Sequence, residues 1–225
     1  MIAIKNIKTD DLLNKYQLEI TSEIWLNRKY YFDQKSETWD KEVFHDPEKI
    51  KMIIDELKLK PGNRVLDVAS GTGILIPYIF NRVSTKGEII INDISEKMIS
   101  IAKQKYSKEN YPNLKFMAQD VIELEMNAQF DAIICYSCFP HFPNKIKLIE
   151  HLSRGLTIGG KLIIAHSESR EKINKHHKKQ KNTIISHDML PPMKKIKIML
   201  GQQDLNIRKY VDTNEMFYIL AIKNN

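Results

Sequence analysis

Cysteine is nearly absent from this chain: 225 residues contain two, Cys135 and Cys138, spaced as C-x-x-C. One such pair cannot complete a four-ligand zinc site, and it sits at the end of an apolar run without a thioredoxin-like setting. Both cysteines are therefore expected to pack as small apolar residues, with no metal bound. Long hydrophobic runs are missing as well. No stretch approaches the roughly 18 apolar residues of a membrane span, and the N-terminus carries no secretory apolar segment, so no membrane span and a cytoplasmic location are expected. Arginine is scarce, six against 29 lysines, and the net charge of +7 is unevenly placed. From Lys161 to Lys209 twelve Lys and Arg stand against four Asp and Glu, a surplus of eight that leaves the rest of the chain at −1. Such a quarter reads either as compositional bias on solvated faces or as a field that attracts an anionic substrate or nucleic acid. There is no separate RNA-binding module and no aromatic-basic stacking surface, which argues against nucleic acid and leaves a small-molecule substrate, with an anionic one in keeping with the charge.

What is present is organised around Val65-Leu66-Asp67-Val68-Ala69-Ser70-Gly71-Thr72-Gly73. An apolar run holding one carboxylate, then small residues, then Ile74-Leu75-Ile76, predicts a buried strand turning tightly into a helix that begins near Thr72. Gly71 and Gly73 permit positive φ and close approach of a ligand, and the helix start offers free N–H groups. Twenty residues beyond Gly73, Ile89-Ile90-Ile91-Asn92-Asp93 is a second apolar run ending in an acid, the spacing that places a carboxylate on a ribose. A dinucleotide site would want a further glycine where Ile76 stands.

The Asp67–Gly73 stretch resembles motif I of class I S-adenosylmethionine-dependent methyltransferases, D/E-x-G-x-G-x-G, with Ala69 in place of the first glycine. Phe32-Asp33 followed by Trp39-Asp40 is similar to the N-terminal segment of the ubiquinone/menaquinone-type members, where a helix closes over the cofactor. The resemblance covers nearly all of residues 30–165. It implies S-adenosylmethionine as cofactor, with Asp93 on the ribose hydroxyls and Asp120 accepting from the adenine amino group. Ile94, Met98 and Val121 would enclose the adenine ring; Asp67, Gly73 and the backbone at Ala69, Gly71 and Cys135 would serve the methionine end. Read without the resemblance, Asp93 could merely cap the helix led by Ser95, and Asp120 could be an ordinary loop acid.

Along the chain, residues 1–60 read as a helical extension, with 20–45 as a lid and a helix from Pro47 to about Leu59. Pro61-Gly62 stops it and opens the domain of residues 61–225. Strands are expected at 64–68, 88–92, 114–118, 130–135 and 161–165, the last opened by Gly159-Gly160, with helices at 74–83, 95–106 and 144–154 between them. Polar helix 169–180, a helix from Pro191-Pro192 to Leu200, and strands near 205–210 and 215–222 follow. Alternation of this kind predicts an α/β fold: a Rossmann-like seven-stranded sheet, mostly parallel with an antiparallel last strand, helices on both faces.

Groups able to move a proton or hold an acceptor should lie beyond the C-terminal ends of strands four and five. His141 and His166 occupy those places, and histidine suits proton transfer near neutral pH. In the expected helix 169–180, Arg170, Asn174 and His177 share one face as a candidate recognition surface within a substrate-selecting insertion at about 166–190. Packing, strand-end hydrogen bonding or solvation would explain the same residues without function. Adjacent His176 and His177 diverge by about 100° on a helix, so they do not make a metal site. The resulting expectation is in-line methyl transfer to a small molecule. An RNA or protein methyltransferase, a non-catalytic S-adenosylmethionine-binding protein and a nicotinamide oxidoreductase are the alternatives; oligomeric state is not readable.

Overall fold

The structure, a computed structural model, describes residues 26–181 and 183–224. The first part of the expected lid, through Trp25, lies outside the described residues.

Seven strands form one sheet: β1 Arg64–Val68, β2 Glu88–Asp93, β3 Leu114–Ala118, β4 Phe130–Tyr136, β5 Leu156–His166, β6 Leu205–Asp212 and β7 Phe217–Lys223. Their spatial order is β3-β2-β1-β4-β5-β7-β6. β1 pairs in parallel with β2 and β4, β2 with β3, and β4 with β5. β7 is antiparallel to both β5 and β6. The final hairpin accounts for this: the chain turns at Thr213–Met216, too short a link for a parallel crossover.

Helices cover both faces because the strands are apolar on both sides. Val65, Ile89, Ile134 and Ile163 meet α3 (Pro47–Glu56), α4 (Ile76–Val83) and α5 (Glu96–Lys105) in one core. Leu66, Val68, Ile133 and Ile164 point the other way, into a core shared with α6 (Lys145–Gly155), α7 (Arg170–Lys179) and α9 (Met193–Gly201). A short α8, Thr183–Ser186, lies between α7 and α9. Caps mark several starts: Asp46 accepts from the Glu48 and Lys49 amides, Ser95 from Met98, Asn144 from Lys147 and Ser169 from Lys172.

Two local expectations are corrected. The helix after β1 starts at Ile76, not Thr72, because Gly71 and Gly73 take φ of +57° and +85° and residues 71–75 are spent in turns, with Pro77 in the first helical turn. β5 starts at Leu156, so Gly159-Gly160 lie inside the strand, not at its head. There the register with β4 shifts between Phe130 and Ala132, and a Cβ on Gly160 would come within 2.9 Å of the Phe130 carbonyl oxygen.

The chain direction of strand pairing reverses its order beside β1: β2 lies on one side and β4 on the other, which opens a crevice at their C-terminal ends. Residues 26–45 lie across it as α1 (26–35), a turn, α2 (Trp39–Glu42) and an extended stretch. Among the described residues no helix is long and apolar enough to cross a membrane.

Candidate active site

A cavity occupies that crevice. Its floor is the turn after β1. Ala69 holds φ of +49°, the left-handed conformation that a glycine would take most easily, so the turn keeps its shape without the motif's first glycine. Gly71 follows at φ +57°, and its amide donates to Asp93 Oδ2 at 2.8 Å. Asp93 Oδ1 accepts from the Ser95 amide, also at 2.8 Å. A carboxylate offers about four acceptor positions, so this residue braces the turn and the residue that caps α5 and still has acceptor capacity left for a ligand.

Burial dominates the electrostatics. It pushes the Asp93 carboxyl up to about 6 against the pull of its backbone hydrogen bonds. Asp67 is raised well above the usual carboxylate range by burial and by the proximity of Asp93. Its Oδ2 and the Ser70 hydroxyl are buried with no hydrogen-bond partner among the described residues. Buried polar atoms are costly when unpaired, so these two are suited to a polar partner in the cavity they line. Asp120 Oδ1 accepts from the Ile122 amide at 3.0 Å as it caps a 3-10 turn, and Ile94, Met98 and Val121 also line the cavity. Acceptors for hydroxyl and ammonium donors, together with an apolar set and a further carboxylate, fit a molecule that joins an amino acid to a nucleoside.

Asp67, Ala69, Gly71, Asp93, Ile94, Met98, Asp120, Val121 and His141 all line the cavity. Gly73, Cys135, His166, His177 and Arg170 do not. Gly73 packs the turn on α5: a Cβ there would lie 2.6 Å from Ile76 Cδ1 and 3.1 Å from Tyr106. Cys135 is sealed in β4 opposite Val68, while Ser137 and Cys138 beyond it reach the lining. Both cysteines are free, and the Cys138 thiol donates to the Val68 carbonyl at 3.3 Å.

The expected recognition face on α7 is taken up by internal contacts. Arg170 pairs with Asp212 at 3.5 Å, and the Asn174 amide clamps Leu190 by its N–H at 2.8 Å and its carbonyl at 3.1 Å. His177 Nδ1 hydrogen-bonds the Asp188 carbonyl. His166 is buried with Nε2 unpartnered, and burial depresses its pKa to about 3.

Four lining residues had not been assigned to the site individually: Arg28, Asp40, His45 and Tyr136. They belong to a set of contacts that holds residues 26–45 over the cavity. Arg28 pairs with Asp188. Asp33 Oδ1 accepts from the Ser95 hydroxyl at 2.5 Å and the Lys97 amide at 3.3 Å. Asp40 accepts from Thr72 Oγ1 at 2.5 Å and pairs with Lys105 at 2.8 Å, and His45 Nδ1 meets the Tyr136 hydroxyl at 3.0 Å. Phe32 sets its edge against both His141 and Trp39, at ring distances of 5.3 and 5.8 Å. The Phe-Asp and Trp-Asp pairs were the available signal for Asp33 and Asp40.

Residues 59–219 match the family model of a methyltransferase domain. The chain belongs to that family. With it stands the cofactor that the Asp67–Gly73 motif implied, S-adenosylmethionine. Among curated relatives, the ubiquinone/menaquinone biosynthesis C-methyltransferase UbiE of Coxiella burnetii is 28% identical over 113 residues, 49% of this chain and 45% of that one. The malonyl-[acyl-carrier protein] O-methyltransferase 1 of Ilyobacter polytropus is 27% identical over 188 residues, 77% of this chain and 68% of that one. The match thus spans less than half the length of the quinone-pathway relative. Of solved structures, a SAM-dependent methyltransferase from Aquifex aeolicus superposes with a TM-score of 0.66 at 20% identity, over 84% of this chain and 97% of that one. The phosphoethanolamine N-methyltransferase 2 of Haemonchus contortus gives 0.71 at 16% identity, over 89% and 59%. These likenesses establish the shared fold.

Proposed function

We propose that this chain binds S-adenosylmethionine in the crevice beyond β1, β2 and β4 and transfers its methyl group to a small-molecule acceptor. The observation that carries the reading is the placement of two buried acids with unspent acceptor capacity, Asp93 and Asp67, on either side of a glycine turn that approaches the cavity with bare backbone. When bound, the cofactor supplies an electrophilic methyl group on a sulfonium, so the protein's task is alignment and exclusion of water. Asp93 would hold the ribose hydroxyls. Asp120 would accept from the adenine amino group, and Ile94, Met98 and Val121 would enclose the ring. Asp67 and the backbone of Ala69 and Gly71 would take the amino-acid end.

Residues 26–45 act in this reading as the lid, and the 166–190 stretch supplies Asp188 as its latch. The acceptor would enter between them, beside Phe32, Tyr136 and His141. A space closed over by a helical segment suits a small molecule better than a folded RNA or protein. A cytoplasmic location belongs to the same reading, in keeping with two cysteines left as free thiols.

Incubation of the protein with methyl-labelled S-adenosylmethionine and fractionated cell extract tests this. Label is expected in the low-mass fraction. Label in the RNA or protein fraction alone would replace the small-molecule acceptor, and label in none would leave a binding protein without turnover.

A further inference from the structure

Asp188 sits where several elements converge: besides its own amide's bond to the Ile185 carbonyl, it has three polar partners among the described residues. Its Oδ2 meets His141 Nδ1 at 2.8 Å, its Oδ1 pairs with Arg28 from the lid segment, and its backbone carbonyl takes a hydrogen bond from His177 Nδ1. The side chains of Asp188 and Arg28 are 6% and 9% exposed, so water does not compete for this contact. His141 is more open, at 17%, and lines the cavity.

We propose that Asp188 is a positioning residue that fixes His141 as a proton acceptor for the methyl acceptor, and that the acceptor therefore arrives with a proton on its nucleophilic atom, as a hydroxyl or ammonium group and not as a carboxylate. The argument starts from Asp188. Burial opposes its ionisation, but the hydrogen bond from His141 and the Arg28 charge outweigh that and hold its carboxyl below the usual range. An ionised carboxylate only accepts, so Nδ1 of His141 must carry the ring proton. Nε2 is then the basic nitrogen, and among the described residues no hydrogen bond engages it.

His177, Asp188 and Phe32 pack around the His141 ring. His177 lies 5.0 Å away, ring to ring, but burial first and the nearness of His141 second push its pKa down, so it stays neutral. Lys145, pushed down to about 8 by burial, gives two hydrogen bonds to the Pro140 and Phe142 carbonyls. Asp188 provides the negative charge that an imidazolium at position 141 needs, while Phe32 fixes the ring from the lid side.

The step balances as follows: the acceptor's O–H or N–H bond breaks and its proton passes to His141 Nε2, while its electron pair forms the bond to the methyl carbon. The carbon–sulfur pair returns to sulfur, and the proton later leaves His141 for water. A carboxylate acceptor has no such proton at neutral pH and would leave the Asp188–His141 pair without a purpose.

This inference rests on the methyl-transfer reading for its chemistry, but its geometry can be read without cofactor. Histidine-15N-labelled protein should show His141, assigned by its loss in His141→Gln, with the proton on Nδ1. In Asp188→Asn the proton should move to Nε2. A wild-type His141 protonated on Nε2, or a tautomer unmoved by the substitution, overturns the positioning role. Should Asp188→Asn fail to fold, the wild-type tautomer decides alone. The label experiment reads the acceptor class: a methyl ether or N-methyl product, formed about a hundredfold more slowly by His141→Gln, supports the proposal, and a methyl ester overturns it. Absence of S-adenosylhomocysteine binding to the wild-type protein would remove the methyl-transfer reading instead, whatever the tautomer.

Discussion

The Gly71 amide donates to Asp93 Oδ2 at 2.8 Å, a bond that ties the turn after β1 to the end of β2 across 22 residues. In the proposed function the same carboxylate would also hold the cofactor's ribose, and the two demands would differ in their response to pH.

Asp93 has a carboxyl pushed up to about 6 by burial, against its ordinary 3.8. The folded form therefore keeps its proton where the unfolded chain has lost it. Its contribution to stability is full below about 3.8 and is withdrawn as pH rises through about 6. Ribose hydroxyls donate to the ionised form, so cofactor affinity should run the other way. Calorimetric titration with S-adenosylhomocysteine is expected to show affinity falling by up to roughly tenfold per unit below pH 6, and Asp93→Asn should bind weakly with that dependence gone.

The two motif glycines should separate on substitution. Gly73→Ala meets Tyr106 at 3.1 Å and a φ of +85°, so thermal unfolding should show a loss of about 1–3 kcal/mol. Gly71→Ala finds nothing nearer than Trp39 at 3.7 Å, and its cost should be nearer the ~1 kcal/mol of left-handed backbone alone. Its larger effect should fall on cofactor affinity, because that position lines the cavity.

His166 is buried and neutral, its pKa depressed to about 3 from 6.5. The unfolded chain takes up this proton first, so the histidine's contribution to stability is present above about 6.5 and is lost as pH falls toward 3, at up to about 1.4 kcal/mol per unit. His166→Leu removes both the titration and the unpartnered Nε2. Chemical denaturation at pH 7 and pH 5 should show a smaller difference for the variant than for wild type.

Asp33 and Asp40 tie residues 26–45, the proposed lid, to α5 and to the glycine turn. Replacing both by Ala should speed hydrogen exchange across residues 26–45 while β1 and β4 stay protected, and should weaken S-adenosylhomocysteine binding severalfold. Unchanged exchange in that segment would deny these bonds their anchoring role.

The strands and their parallel alternation with helices were legible because each strand announces itself locally: five apolar runs such as Val65–Val68 and Ile89–Ile91 end in turn-formers, and helices with clear caps separate them. Asp67, Asp93 and Asp120 were legible for the same reason, each ending or closely following a strand. The lid latch was not. Arg28 and Asp188 are 160 residues apart and His45 and Tyr136 are 91 apart, and no periodicity links such partners before the fold brings them together. The α7 face is a different case. Arg170, Asn174 and His177 do share a helical side, but Asp212, Leu190 and Asp188 approach that side and bond to its polar groups. Helix geometry can align side chains without saying what will meet them.

The most direct measurement is calorimetric titration of the purified protein with S-adenosylmethionine and S-adenosylhomocysteine, beside Asp93→Ala. The account predicts micromolar binding of both ligands by the wild-type chain and its loss in a variant that remains folded by circular dichroism. Wild-type protein that binds neither ligand, or a folded Asp93→Ala that binds them equally well, would contradict it.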